Sequence, residues 1–188
     1  MIQTKQDLKE YLKADLLVQP APKSWFKRHR RKQIRMKTFL RKSEYHYNNR
    51  KKSLLHKLLY IYWWSRCKKI QDSFCTEICL NVFGKGLTIW HGERIITNPH
   101  ARVGDYCSIT SGVVIAQAHD EYPVIGDHVE LMIDSKVLGG VSVANHVRIG
   151  ANALVIKDIN QPNSTWAGCP AKMINNHGTV ETPVPICY

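Results

Sequence analysis

The clearest pattern in the chain is an aliphatic residue at every sixth position of its second half. Nine Val, Ile or Leu residues keep this step: Val103, Ile109, Ile115, Ile125, Leu131, Val137, Val143, Ile149 and Val155. Phe83 and Ile89 continue it toward the N-terminus. Small or β-branched side chains follow four positions later: Cys107, Val113, Val129, Ser135, Val141, Val147 and Ala153. Amphipathic helices need steps of three and four and exposed strands need steps of two, so neither explains the pattern.

A step of six is typical of short flat strands that each place one aliphatic side chain inside and are joined by tight turns. Three such strands close a triangular coil of about eighteen residues, and stacked coils align the aliphatic side chains in ladders. Gly, Asn and Asp between the strands suit turns with unusual backbone angles. We therefore predict a left-handed parallel β-helix over residues 71–175, even though this winding departs from the usual right-handed crossover.

Two interruptions of the repeat predict where a cleft forms. Ile95 to Val103 spans eight residues, which places two extra residues around Asn98-Pro99-His100. Ile115 to Ile125 spans ten, which predicts a protruding loop with four extra residues. Loops that leave a regular prism make the walls of a cleft, and in a trimer this cleft would lie between neighbouring prisms.

The first seventy residues show helical spacing instead. Leu8, Tyr11 and Leu12 follow a helical period before Pro20 and Pro22 interrupt it. From Trp25 onward basic residues alternate with apolar ones at roughly helical spacing: Phe26, Ile34, Phe39, Leu40, Leu54, Leu55, Leu58, Leu59 and Tyr62. We predict two or three amphipathic helices with solvated basic faces over residues 1–70, and a C-terminal tail over residues 176–188.

The charge is divided between the two parts. Residues 1–70 hold 20 Lys/Arg and 4 Asp/Glu, a net +16, whereas residues 71–188 hold 7 and 11, a net −4. A second interpretation of the basic segment is therefore a peripheral contact of residues 23–69 with an anionic membrane surface or a lipid-linked glycan. No nucleic-acid-binding motif is present, so nucleic acid is not an expected partner.

Neither a signal peptide nor a membrane span is predicted. Met1 to Leu17 lacks the apolar core of a signal peptide. Leu54 to Trp64 is too short to cross a bilayer, which takes about 20 residues. We expect a soluble cytoplasmic protein, with the inner face of the membrane as the place where the basic segment would act.

Six cysteines raise the question of a disulfide or zinc framework. Cys75 and Cys79 form the only close pair, and no second pair completes a zinc site. Buried free thiols are expected instead.

Two stretches resemble a known family. Asn81–Gly92 with Ile95–Gly104, and the closing Ala167-Gly-Cys-Pro-Ala-Lys172, resemble hexapeptide-repeat acyltransferases of the serine acetyltransferase type. The resemblance covers residues 75–175. More weakly, Lys5–Asp15 is similar to serine-acetyltransferase-like proteins of surface-polysaccharide gene clusters. The resemblance implies a homotrimer with acetyl-CoA as acyl donor.

The resemblance also implies a catalytic histidine. Acetyl transfer from a thioester to a hydroxyl needs a base, and His91 occupies the family's position for it, in Trp-His-Gly. In the family an aspartate lies about fifteen residues earlier and orients the histidine. That count reaches Thr76 here, with a carboxylate next to it at Glu77. A slip of one residue in an irregular first coil would make Glu77 the partner of His91.

Further site residues follow from the same resemblance. His119 and Asp120, in the protruding loop, are expected to contact the acceptor hydroxyl compound. Backbone groups of Ile133, Ala151 and Gly168 are expected to bind pantetheine. Lys172 is expected to meet a phosphate group, and no resident metal is expected.

The function is left open among three alternatives. Serine acetyltransferases of amino-acid metabolism have a longer helical domain and a tail ending in isoleucine, whereas this chain ends Pro183-Val-Pro-Ile-Cys-Tyr188. This difference favours acetylation of a sugar hydroxyl in a surface polysaccharide or its precursor. The alternative is serine O-acetylation in cysteine biosynthesis. A zinc-dependent carbonic-anhydrase-like β-helix, with His91, His100 and His119 as ligands, is a third and weaker interpretation.

Overall fold

The computed structural model describes residues 1–20 and 32–179, which form a helical segment followed by a parallel β-helix. The described helices are α1 (Lys5–Val18), α2 (Lys32–Asn48) and α3 (Leu54–Ser73). Thr4 caps α1 with a reciprocal capping box, and Ser53 caps α3. The change in composition near Gln71 thus falls in the last turn of α3. Phe26, Cys187 and the end of the predicted tail lie outside the described residues.

Thirteen short strands form the described β-helix. They are β1 (Thr88–Ile89), β2 (Ile96–Thr97), β3 (Arg102–Val103), β4 (Ser108–Ile109), β5 (Val114–Ala116), β6 (Val124–Ile125), β7 (Glu130–Leu131), β8 (Lys136–Leu138), β9 (Ser142–Val143), β10 (Arg148–Ile149), β11 (Leu154–Val155), β12 (Thr165–Ala167) and β13 (Lys172–Asn175). Up to β11 each strand pairs with the strand three places along the chain, which gives three faces. Face 1 holds β1-β4-β7-β10-β12-β13, face 2 holds β2-β5-β8-β11 and face 3 holds β3-β6-β9. The pairs are parallel except β12–β13, so the predicted left-handed parallel β-helix is confirmed.

The predicted ladders form the core. All nine repeat residues are at most 5% exposed, and the small residues four positions after them are equally buried. Stacking identical positions from coil to coil buries aliphatic surface continuously, which supplies the main favourable term for folding.

The first interruption lies elsewhere than predicted. Thr97 pairs with Ile115, so Thr97, and not Ile95, is the inward residue of β2. The eight-residue step therefore runs from Ile89 to Thr97, and the two extra residues belong to the turn Trp90–Arg94. A search for aliphatic residues missed Thr97 because it is polar. Its hydroxyl accepts a hydrogen bond from the amide of Cys79 at 2.8 Å, which makes it tolerable inside.

The second interruption is confirmed as a protruding loop between β5 and β6. Ala118 and Glu121 form an antiparallel bridge across a two-residue turn. The turn residues His119 and Asp120 have φ angles of 53° and 59°, in the left-handed region. Asp tolerates this conformation better than most residues because its short side chain bonds locally.

The helical segment covers the open end of the β-helix at β1. The Gln19 side chain donates to the carbonyl of Ile89 at 2.7 Å, and the Lys37 ammonium donates to the carbonyl of Leu87 at 2.6 Å. The Asp15 carboxylate accepts from the amide of Leu87 at 2.9 Å. An open strand edge leaves such groups unpaired, so these helices terminate the sheet and block further strand addition.

Arg41 is the centre of this contact and is fully buried. Its guanidinium lies 2.9 Å from the Asp15 carboxylate and 3.1 Å from that of Glu44. It also donates to the carbonyls of Phe83 at 2.9 Å and Gly84 at 2.5 Å. Burial opposes the charge of Arg41, but the two carboxylates outweigh that effect and raise its pKa.

The expectation of solvated basic faces is therefore wrong for two helical residues. Lys37 and Arg41 are both buried at the junction with the β-helix. Burial lowers the pKa of Lys37 to about 8, with Asp15 acting in the opposite direction. A charge pattern in a helix cannot show that some of its cations meet the edge carbonyls of a later strand.

Candidate active site

His91 lies in the enlarged turn Trp90–Arg94, which joins face 1 to face 2. In the next two coils the equivalent turns are shorter by two residues. The imidazole is exposed, and it forms no hydrogen bond with another described residue. The insertion thus presents an accessible nitrogen base at an edge of the prism.

Thr76 holds the base of this turn. Its buried hydroxyl donates to the carbonyl of Gly92 at 2.5 Å and accepts from the amide of Ile95 at 3.0 Å. The turn also packs on Phe74, since a Cβ added to buried Gly92 would stand 3.3 Å from the Phe74 ring. Counting fifteen residues back from His91 reaches Thr76, which the sequence analysis noted only because it is not a carboxylate. A single threonine in a single sequence carries no pattern that would indicate that its hydroxyl supports the turn.

Glu77 stands beside the turn on face 2. Its amide donates to the carbonyl of Ile95 at 2.7 Å, and its carbonyl accepts from the amide of Thr97 at 2.9 Å. Inward residues Ile78 and Phe83 are five positions apart, whereas Thr97 and Val103 in the next coil are six apart. The first coil is therefore one residue short, as the hypothesis of a one-residue slip requires.

The Glu77 side chain is exposed and shares its outward direction with the paired Ile96. Among the described residues no hydrogen bond joins its carboxylate to His91. The structure therefore places the carboxylate in the neighbourhood of the His91 turn without forming the predicted dyad.

Three of the predicted cofactor residues form a column with His91 along the edge between faces 1 and 2. Ile133, Ala151 and Gly168 occupy this edge in successive coils, and the first and last accept coil-to-coil hydrogen bonds through their carbonyls, both at 2.9 Å. The amides of Ile133 and Ala151 form no hydrogen bond within the described part of the chain. With strands about 4.8 Å apart, four steps from His91 to Gly168 give a wall about 19 Å long.

Lys172 lies near the far end of this column, on β13. It is exposed and lines a cavity of about 280 Å³ together with Trp166 and Pro170. The Trp166 indole donates to the Ser164 hydroxyl at 2.8 Å, which fixes it beside the last coil. The cavity wall thus combines an apolar surface with two lysines and one aspartate.

His119 and Asp120 lie on a different edge from His91. Both are exposed at the tip of the loop between faces 2 and 3. His100 occupies the same edge, where its ring lies 4.7 Å from that of Tyr122. One protomer therefore does not bring His119 to His91. The two can meet only if the edges of two protomers face each other.

This separation also bears on the zinc alternative. His91 is on one edge of the prism, and His100 and His119 are on another. No group of three or more potential metal-ligating side chains occurs among residues 1–20 and 32–179. The three histidines do not form a site within one protomer.

The described cysteines are free thiols, as expected, but only some of them are buried. Cys67 and Cys107 are buried, Cys79 is half-buried, and Cys75 and Cys169 are exposed. Burial raises the pKa of Cys67 to about 12, which keeps that thiol protonated and unreactive.

Comparison with known proteins shows what the β-helix resembles. Residues 122–157 match the family described as bacterial transferase hexapeptide (six repeats). The chain is 32% identical to a serine acetyltransferase of Synechococcus elongatus over 105 residues, which are 54% of this chain and 43% of that protein. It is 36% identical to the serine acetyltransferase of Helicobacter pylori over 95 residues, which are 48% of this chain and 55% of that protein.

Solved structures agree on the fold. Soybean serine acetyltransferase superimposes with a TM-score of 0.70 at 20% identity, covering 90% of this chain and 70% of that one. A serine acetyltransferase in complex with CoA gives a TM-score of 0.64 at 19% identity, covering 90% and 71%. The resemblance to hexapeptide-repeat acyltransferases of the serine acetyltransferase type is therefore confirmed. The match spans about half the length of the curated relatives.

Within residues 1–20 and 32–179, none of the helices has the length and apolar character that a bilayer crossing requires.

Proposed function

We propose that the protein is an O-acetyltransferase that moves an acetyl group from acetyl-CoA to the hydroxyl of serine. The observation that carries this proposal is the placement of His91. It stands in an enlarged turn at the head of an edge whose backbone amides at Ile133 and Ala151 are unpaired within the described chain. Such an edge suits an extended amide-containing arm, because that arm bonds to backbone groups whatever the side chains are.

The reaction uses His91 as a general base. Its neutral imidazole accepts the proton of the serine hydroxyl while the oxygen attacks the thioester carbonyl carbon. The tetrahedral intermediate collapses by breaking the carbon–sulfur bond, and the imidazolium returns the proton to the departing thiolate. No acyl-enzyme forms in this mechanism, so none of the cysteines has a role in the reaction.

The expected sugar acceptor has less support than serine. The relatives and solved structures described above are serine acetyltransferases, and a further structure of similar fold, with a TM-score of 0.70 at 20% identity, is soybean serine acetyltransferase complexed with serine. The preference for a surface polysaccharide relied on the short helical segment and on the sequence of the C-terminus. Neither feature provides a contact for a sugar in the described residues.

A homotrimer would complete the site. His91 and the loop of His119 and Asp120 lie on different edges, so a neighbouring prism would bring its loop to the His91 edge. This arrangement assigns His119 and Asp120 to the acceptor side of the groove. Lys172, at the far end, would meet a phosphate group of the acyl donor.

Glu77 is proposed to orient His91 when substrate is bound. We expect Glu77→Gln to lower kcat about tenfold with little change in KM, because a charge-assisted hydrogen bond contributes about 1.5 kcal/mol. Steady-state thiol release measures this effect. Glu93→Gln, which changes a carboxylate within the turn itself, is the matched control and should retain its rate. An unchanged rate in Glu77→Gln would remove the residue from the mechanism.

The acceptor is tested by a panel of hydroxyl compounds. Purified full-length protein is incubated with acetyl-CoA and with serine, threonine, nucleotide-linked sugars or lipid-linked sugars, and thiol release is followed. We expect serine to support release at least tenfold above the rate without acceptor. Background release with serine, together with rapid release with a sugar, would overturn the serine assignment and restore the polysaccharide alternative.

A further inference from the structure

A cavity of about 300 Å³ lies between α2 and α3. Four cations contribute to its lining: Lys32, Arg35, Arg66 and Lys69. Phe39 and Ile70 provide its apolar surface, and Ser73 provides a hydroxyl. No acidic side chain is among the described residues that line it.

This concentration of positive charge favours an anionic ligand. Like charges at such proximity repel one another, and an anion that enters the cavity relieves the repulsion. Two of the four cations are arginines, whose planar guanidinium groups match phosphate oxygens in pairs. A phosphate group is therefore the ligand chemistry that fits the cavity best.

The exposed side of α3 continues from this cavity as an apolar stripe. Its members are at least half exposed and recur at helical spacing: Leu54, Leu55, Leu58, Ile61 and Tyr62. Arg66 joins the two parts, since its guanidinium lies 6.0 Å from the centre of the Tyr62 ring. One helix face thus carries apolar side chains in its first half and cations in its second half.

A membrane surface fits this face better than a second copy of the chain. Residues 50–72 hold seven Lys/Arg and one Asp, a net +6, so a symmetric contact between two copies would oppose equal positive charges. Anionic lipids attract such a segment, and an apolar helix face is buried at the boundary between headgroups and acyl chains.

We propose that α3 docks on an anionic phospholipid membrane, with a lipid phosphate in the cavity of Lys32, Arg35, Arg66 and Lys69 and the apolar stripe at the headgroup boundary. The cavity is connected to the His91 turn through side-chain packing. The Lys32 ammonium lies 5.5 Å from the centre of the Phe74 ring, on which Gly92 packs. The proposal does not depend on acetyl transfer, and its test measures binding alone.

The test is co-sedimentation of the full-length protein with vesicles of phosphatidylcholine alone or mixed with phosphatidylglycerol. We expect binding to the mixed vesicles only, weakened by salt. Arg66→Gln with Lys69→Gln should reduce the affinity at least tenfold, because each cation at an anionic surface contributes substantially. The matched control is Lys9→Gln with Lys13→Gln, which removes the same charge from the exposed surface of α1.

The stripe is tested separately with Leu58→Ser, which should also weaken binding severalfold. Its control is Leu17→Ser on α1, where the leucine is 64% exposed compared with 56% for Leu58. Thermal unfolding verifies that each variant is folded. An equal loss of vesicle affinity in the two double variants would show that the net charge of the protein causes the attraction. That result would contradict the assignment of the cavity as the phosphate site. Equal binding to neutral and mixed vesicles would contradict docking on an anionic membrane. Binding of soluble pyrophosphate without any binding to vesicles would contradict it as well.

Discussion

Replacing His91 with alanine is expected to lower the rate of acetyl transfer by roughly 10²–10⁴-fold, because a positioned general base contributes that much to a proton-transfer step. The loss should appear in kcat, since the side chain is needed in the transition state more than in binding. Thiol release from acetyl-CoA in the presence of serine measures it directly.

The same variant should fold normally. His91 is exposed and bonded to no other described residue, so its removal leaves no buried group unpaired. His177→Ala changes another exposed histidine outside the turn and should keep its activity. A His91→Ala protein with unchanged kcat would eliminate the assigned base, whatever the acceptor is.

Arg41→Met should destabilise the protein more than any other single change considered. Removal of one partner from a buried ion pair costs about 3–5 kcal/mol, and here both Asp15 and Glu44 would lose their counter-charge. For a chain of this size, Tm should fall by roughly 6–20 °C. Calorimetry or circular dichroism measures the shift.

Lys13→Met is the control for Arg41→Met. It removes an exposed cation from α1 and should change stability by about 0.5 kcal/mol or less. If Arg41→Met unfolds within 2 °C of the parent protein, about the shift expected from 1 kcal/mol or less, then the helical segment does not depend on this cluster to close the β-helix.

Much of the fold could be predicted because the β-helix repeats its own signal. Each coil buries the same kind of side chain at the same step, so one misplaced residue does not obscure the ladder from Val103 to Val155. The exception is informative. Thr97 fills an inward position with a hydroxyl that the Cys79 amide satisfies, and this moved the predicted insertion away from the turn that holds His91. A search for aliphatic residues at every sixth position cannot detect an inward-facing polar residue whose hydroxyl is hydrogen-bonded.

The junction between helices and β-helix could not be predicted from the sequence. Lys37 and Arg41 share the spacing of ordinary surface cations, and only the tertiary structure brings them to the carbonyls of Leu87, Phe83 and Gly84. The contacts join residues that are 42 or more positions apart. Helical periodicity indicates which side of a helix is polar. It does not indicate which polar groups elsewhere in the chain will contact that side.

Part of the candidate site could be proposed from the sequence. The residues around His91 indicated the base through their resemblance to a family, and the one-residue deficit in the first coil agrees with the choice of Glu77. The role of Thr76 under the turn was missed, because a buried threonine has no distinguishing pattern. The proposed meeting of His91 with His119 would need another subunit, whose placement one chain's sequence does not contain.

Identification of the reaction product is the decisive test of direct acetyl transfer assisted by His91. Full-length protein is given acetyl-CoA labelled in the acetyl group together with serine, and the products are analysed by mass spectrometry, with His91→Asn treated in parallel. We expect labelled O-acetylserine from the parent protein, none above background from the variant, and no label on the protein itself. Label retained on a cysteine, or equal product from the variant, would contradict direct transfer assisted by His91.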